Sequence, residues 1–327
     1  FCINDTYEPG STFKIITSAA ALSEKVVSLD ETFQCGGSLT VADRRIRCHK
    51  AGGHGTETFV QGVQNSCNPV FMTLALRLGA DTFYKYLKAF EFDKKTGIDI
   101  SGEAVGIMYD VGDVGPVELA TMGFGQSMAI TPMQLLRAAA AAVNGGSLIT
   151  PHFGTKVLDQ EGNVLKSLEF PVTEGVIDPE VSKTLRQVLE TVVSEGGGSK
   201  AAITGYHIGG KTATSQKLPR SAKKYISSFL CFTPVEDAQL MTLMLIDEPE
   251  GIYYGGTVCA PVVKELLENI LPYLGIEADY TEEEAVLPEV AKITVPDLVG
   301  KTLAQAKAEA GETELDVLGE GEQIIEQ

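Results

Sequence analysis

Residues 207–216 read HIGGKTATSQ, and two more strand-like runs follow, YISSFLCFTP at 225–234 and QLMTLMLIDEP at 239–249. Apolar and β-branched residues bounded by turn residues at this spacing predict neighbouring antiparallel strands. Upstream the pattern is helical. Residues 11–24, STFKIITSAAALSE, carry apolar residues at helical spacing behind the Pro9-Gly10 break. Residues 69–90 predict two helices punctuated by Gly79, and residues 132–144 predict one that opens on Pro132 and ends at Gly145-Gly146. Residues 178–195 predict an amphipathic helix stopped by three glycines, and 258–274 a closing helix. Residues 33–60 read as a hairpin and loops. Helices, then strands, then a helix laid on the sheet point to an α+β domain with an antiparallel sheet.

The chain has 327 residues, is 44% hydrophobic and carries a net charge of −18. A sizeable core is expected, and wholesale disorder is excluded. The acidity excludes nucleic acid as partner, and an anionic membrane surface too, because both require basic patches. Residues 276–327 alone hold 14 Asp/Glu and 3 Lys, a composition shift that predicts a boundary near 276. No apolar run approaches the roughly 18 residues that a membrane span needs. The chain opens FCINDTYEPG and closes GEGEQIIEQ, and both ends read as cuts within a longer protein.

Three short motifs carry the chemistry. In Ser11-Thr12-Phe13-Lys14, positions i and i+3 share a helix face, so Lys14 is expected to reach Ser11 and take its proton. SxxK arises about once by chance in a chain of this length, and a second copy stands at Ser221 to Lys224. That copy lies in a polar stretch between strands and reads as a solvated turn. Ser66-Cys67-Asn68 offers a second hydroxyl for proton relay and an amide to hold a carbonyl, or equally a helix cap ahead of Pro69. Lys211-Thr212 on the predicted strand supplies a cation and a hydroxyl for a substrate carboxylate, and backbone N–H groups for an oxyanion. Lys95-Thr96-Gly97, which spells KTG literally, sits in a turn-rich loop.

Together YEPGSTFK, NSCNPVF and GGKTATSQK resemble the three motifs of class B penicillin-binding proteins, the peptidoglycan D,D-transpeptidases. GFGQSMAITPMQL and KKTGIDISGE resemble two further stretches of that family, and ITVPDLVGKTLAQAKAEAG resembles the start of a PASTA module. The combination is similar to the sporulation-type members. The resemblance implies a penicillin-binding-protein/β-lactamase-like fold, an antiparallel sheet flanked by helices plus an all-helical lobe. Residues 1–275 would be the transpeptidase domain without its first strands, 276–292 an acidic linker, and 293–327 a partial β-α-β PASTA module.

By position, Ser11 would be the acylated nucleophile and Lys14 its base. Ser66 would relay protons and Asn68 orient the donor peptide. Lys211 and Thr212 would bind the terminal carboxylate, and the N–H groups of Ser11 and Thr214 would form the oxyanion hole. The implied ligands are D-Ala-D-Ala stem peptides and β-lactams, the implied partner is a wall glycosyltransferase, and no cofactor is needed. The implied place is the outer face of a bacterial membrane, held by an anchor outside this chain. A D,D-carboxypeptidase, a β-lactamase and a non-catalytic β-lactam or muropeptide sensor are the alternatives on the same fold. Ala213 in place of the family's glycine adds a methyl group where the strand approaches substrate, which is expected to narrow the cleft.

The six cysteines are too sparse for a disulfide scaffold. Cys231 and Cys259 sit among apolar neighbours and read as buried small hydrophobes. Cys35, Cys48, His49 and His54 lie near one another, but the spacing departs from common zinc-ligand patterns, so no metal is expected. Cys67, inside the second motif, makes a Cys48–Cys67 redox pair the preferred reading, with a Cys35–Cys48 staple or free thiols as alternatives. His152 and His207 read as structural or surface residues.

Overall fold

The computed structural model describes residues 1–280 and 298–310. It divides into one unit over Phe1–Asp279 and a second over Tyr280–Gln327. In the first unit a 3-10 turn, Gly10–Phe13, leads into α1 (Lys14–Ser23). An arm follows: β1 (Thr32–Cys35), β2 (Ser38–Val41), β3 (Arg44–Arg47) and β4 (Gly55–Thr58). Within it β2 pairs with β3, and β1 with β4, both antiparallel. Then come α2 (Phe59–Gln64), α3 (Asn68–Ala89), α4 (Pro116–Met122) and α5 (Pro132–Val143). The short strands β5 (Leu148–Ile149), β6 (Lys156–Leu158), β7 (Val164–Ser167) and β8 (Val172–Thr173) precede α6 (Pro179–Ser194). The unit closes with β9 (Gly209–Gln216), β10 (Tyr225–Thr233), β11 (Leu240–Asp247), α7 (Gly255–Val258) and α8 (Ala260–Tyr273).

The last three strands form one antiparallel sheet in the order β11-β10-β9, with Leu230 opposite Lys211 and Ser227 opposite Thr214. The period-2 alternation of β10 explains its burial on both faces. Leu230 and Phe232 join the core that holds α1, α3, α5 and α6, while Phe229 and Cys231 join a second cluster with Val263 and Leu267 of α8. Cys231 and Cys259 are buried in that second cluster, as small hydrophobes.

Helix α1 is buried over Lys14–Ala21, because Phe13, Ile15, Ile16 and Ala19 to Ala21 leave it apolar almost all round. The helix of residues 68–89 is interrupted at Gly79, where φ is 74° and ψ 163°. α5 starts on a reciprocal cap, with Thr131 Oγ1 accepting from Gln134 N and Gln134 Oε1 accepting from Thr131 N. Helices α2 and α4 and strands β5 to β8 have no counterpart in the sequence reading. They are two to seven residues long, too short to display a period. In the second unit α9 (Leu303–Ala310) falls where a helix is expected. The rest of the expected linker and β-α-β module, 281–297 and 311–327, lies outside the described residues.

Candidate active site

Three walls close on one cleft of about 720 Å³. The 3-10 turn before α1 contributes Ser11, the loop before α3 contributes Ser66 and Asn68, and β9 contributes Thr212, Ala213 and Thr214. Gly10 makes the first junction close. Its φ is +58°, and a Cβ there would fall 2.3 Å from Ser215 Oγ of β9. Only a residue without a side chain lets the turn lie against the strand. The Ala213 side chain is buried at 4% exposure, with its Cβ against the position a Gly10 Cβ would take. Its methyl therefore packs under the turn that carries Ser11.

Lys14 is fully buried. Its Nζ donates to Ser66 O at 2.7 Å, Asn68 Oδ1 at 2.8 Å and Ser66 Oγ at 3.2 Å, and lies 5.0 Å from the centre of the Phe71 ring. Burial lowers Lys14 to about 7, against the raising influence of Cys67, Cys48 and Glu57. The expected direct bond to Ser11 Oγ is not among the hydrogen bonds of the described residues. The reason is local: Ser11 lies in a 3-10 turn rather than in the α-helix, and the ammonium is drawn to three oxygens of the opposing loop. Ser66 holds the left-handed conformation, φ 53°, so its carbonyl and hydroxyl both turn toward Lys14.

Lys211 is also fully buried, with Nζ donating to Thr212 O at 3.1 Å. Burial first, and then the charge of Lys14, push it well below the usual lysine range. It stands behind the cleft wall rather than in it, and the half-buried Thr212 and Thr214 line the cleft from this strand. The Thr214 hydroxyl accepts from Gly255 N at 3.1 Å. β9 is an edge strand of its sheet, so half of its backbone groups point outward toward the turn and cleft.

The literal KTG lies elsewhere. Thr96 N and Oγ1 donate to Glu103 Oε1 at 2.6 and 2.5 Å, and Gly97 N donates to Oε2 at 3.2 Å, which makes a self-contained loop. The second SxxK copy is an exposed turn, where Lys224 pairs with Glu248. His152 Nδ1 contacts Thr150 O, and His207 pairs with Glu190.

Cys48 and Cys67 lie side by side as free thiols, and the hydrogen bond between them lowers Cys48 and raises Cys67. In three dimensions the residues are closer than their spacing in sequence suggests. Cys35, Cys48, His54 and Cys67 bring their donor atoms within 4.8 Å of one another. Spacing rules describe ligands on one local knuckle, whereas these come from β1, the β3–β4 loop and the start of α3. Sequence reasoning also missed Glu57, Phe71 and the stacked pair Tyr225–Tyr253 at the cleft rim. For Glu57 a signal existed, since it is a charge on the inward position of a strand.

Residues 2–268 match the family described as penicillin binding protein transpeptidase domain. The chain is 42% identical, over 98% of its length, to stage V sporulation protein D of Bacillus subtilis, and covers 51% of that protein. It is 31% identical to the peptidoglycan D,D-transpeptidase FtsI of Escherichia coli K12, over 85% of this chain and 46% of that one. The chain thus spans about half the length of these curated relatives. Among solved structures it resembles the D,D-transpeptidase domain of a peptidoglycan glycosyltransferase from Eggerthella lenta. There the TM-score is 0.77 at 25% identity, over 84% of this chain and 68% of that one.

Proposed function

The chain belongs to the penicillin-binding protein transpeptidase family, and from that premise we propose that it cross-links peptidoglycan as a serine D,D-transpeptidase. The observation that carries the proposal is the buried Lys14, held near neutrality between Ser66 and Asn68 on the cleft that Ser11 lines. A neutral amine there accepts the Ser11 proton as Oγ attacks the carbonyl of the penultimate D-Ala of a stem peptide. The oxyanion forms against the N–H groups of Ser11 and Thr214. The C–N bond breaks, Ser66 delivers the proton to the departing D-Ala amine, and an ester to Ser11 remains. An amine from a second strand then attacks the ester, which forms the cross-link and restores Ser11. Asn68 orients the donor peptide.

Thr212 takes the terminal carboxylate in this scheme. Lys211, buried behind the wall, backs the strand that presents Thr212. β-Lactams acylate Ser11 as mimics of the donor. The similarity to stage V sporulation protein D supports a place in sporulation-linked wall synthesis; the family resemblance extends the proposal to the outer face of the membrane and a wall glycosyltransferase as partner. No helix among the described residues is long and apolar enough to cross a membrane. Residues 1–275 are read as the transpeptidase domain, 276–292 as linker and 293–327 as part of a PASTA module.

Incubation with a D-Ala-D-Ala stem peptide and an amine acceptor tests this reading. Release of D-Ala coupled to acceptor amide supports a transpeptidase. Release with water as sole acceptor indicates a carboxypeptidase, rapid turnover of penicillin a β-lactamase, and binding without release a sensor.

A further inference from the structure

We propose that Cys35, Cys48, His54 and Cys67 bind a zinc ion that clamps the β-arm to the loop carrying Ser66 and Asn68. The four residues come from distant points of the chain, yet their donor atoms lie within 4.8 Å of one another, and the three cysteines are buried. In a tetrahedral site with bonds of about 2.0–2.3 Å, donor atoms stand about 3.4–3.8 Å apart. Cys48 Sγ and His54 Nδ1 are already 3.7 Å apart. Closing the widest edge needs an inward shift of about 1 Å. Three thiolates and one imidazole favour zinc over hard cations, which prefer oxygen.

A second observation points to the same ion. Glu57 is 3% exposed, and its Oε1 has no hydrogen-bond partner. That oxygen stands 3.7 Å from His54 Nδ1, while Oε2 accepts from Asn65 Nδ2 at 3.0 Å. A buried carboxylate oxygen left without a donor is costly. Beside a zinc ion it becomes an outer carboxylate whose negative charge at the edge of the cluster favours the cation.

The backbone is shaped for the same closure. Gly53 has a φ of +77°, and a Cβ there would strike Cys35 O at 2.1 Å. This contact folds the 48–54 loop over β1 and delivers His54 to the cysteines. Cys48 N donates to Gly37 O, and Cys67 N to Gly62 O, both at 2.9 Å. On binding, the three thiols lose their protons to solvent and the metal takes the sulfur lone pairs. With three thiolates and a neutral histidine the site carries a net charge of −1. Because Cys67 lies between Ser66 and Asn68, the ion would pin the left-handed Ser66 backbone that turns toward Lys14.

The test reads metal, not activity, so its failure leaves the acyl-enzyme reading intact. The full chain is purified under reducing conditions and its zinc measured by elemental mass spectrometry; about one ion per chain is expected. Replacement by Co²⁺ should give thiolate-to-cobalt charge transfer and tetrahedral ligand-field absorption. Glu57→Gln should weaken zinc binding about 10–100-fold, and Cys35→Ser should remove the charge-transfer intensity of one thiolate. Should a variant not fold, the cobalt titration of the unaltered chain decides alone. A folded, reduced chain that binds neither zinc nor cobalt stoichiometrically overturns the proposal. So does a chain isolated with a Cys48–Cys67 disulfide that takes up no zinc after reduction.

Discussion

A lysine ammonium withdrawn from water is stable only where acceptors replace its hydration, and Lys14 finds three, all from Ser66 and Asn68. With Lys14 lowered to about 7, its neutral form, the base, increases as pH rises through that value. Acylation of Ser11 by penicillin is therefore expected to quicken about tenfold between pH 6 and 8, read by stopped-flow labelling. A rate falling over that range would mean that Lys14 must be charged to act. Lys14→Arg keeps the charge but cannot give it up. It should lower acylation about 10²–10⁴-fold, as Lys14→Ala should. Gly10→Ala belongs to the same scale. The new Cβ meets Ser215 Oγ at 2.3 Å in a left-handed backbone, so both the melting temperature and the acylation rate should drop. An unchanged rate would mean that the turn tolerates displacement from β9. Ala213 has two neighbours to answer to. The residue is expected to crowd substrate; it lines the cleft, yet at 4% exposure its methyl also packs against the turn that carries Ser11, so Ala213→Gly tests both effects.

Among the elements, the loop with the literal KTG separates motif from function. Glu103 accepts three bonds from Thr96 and Gly97, and removing it strands buried donors. Glu103→Ala should cost about 1–3 kcal/mol in thermal or urea unfolding, whereas Lys95→Ala should leave penicillin labelling within about twofold. Loss of labelling in Lys95→Ala, with the fold intact, would return this loop to the site. The sequence was most legible where patterns were long. α1, α5, α6, α8 and the three-stranded sheet all follow from period and punctuation. The two halves of α3 follow from Gly79. The proximity of Ser11, Ser66 and Thr212 at one cleft followed only from their joint resemblance to a family, since no local pattern brings residues 11, 66 and 212 together. Of the cluster Cys35, Cys48, His54 and Cys67 the sequence grouped the first three and paired Cys67 with Cys48, but their common meeting point depends on β1–β4 pairing and the α3 start, which no spacing rule encodes.

For the whole molecule, the cleft-lining residues among those described all belong to the first unit, between Gly10 and Thr257. A chain ending at Asp279 should therefore keep the labelling stoichiometry of the full chain. A large loss would give the second unit a role in the site. The central claim is that Ser11 is the nucleophile, and mass-spectrometric mapping of a penicillin adduct on the folded chain tests it most directly. One adduct per chain on the peptide containing Ser11, absent in Ser11→Ala, is the result predicted here. A folded chain that stays unlabelled, or one labelled at Ser221 instead, would contradict it.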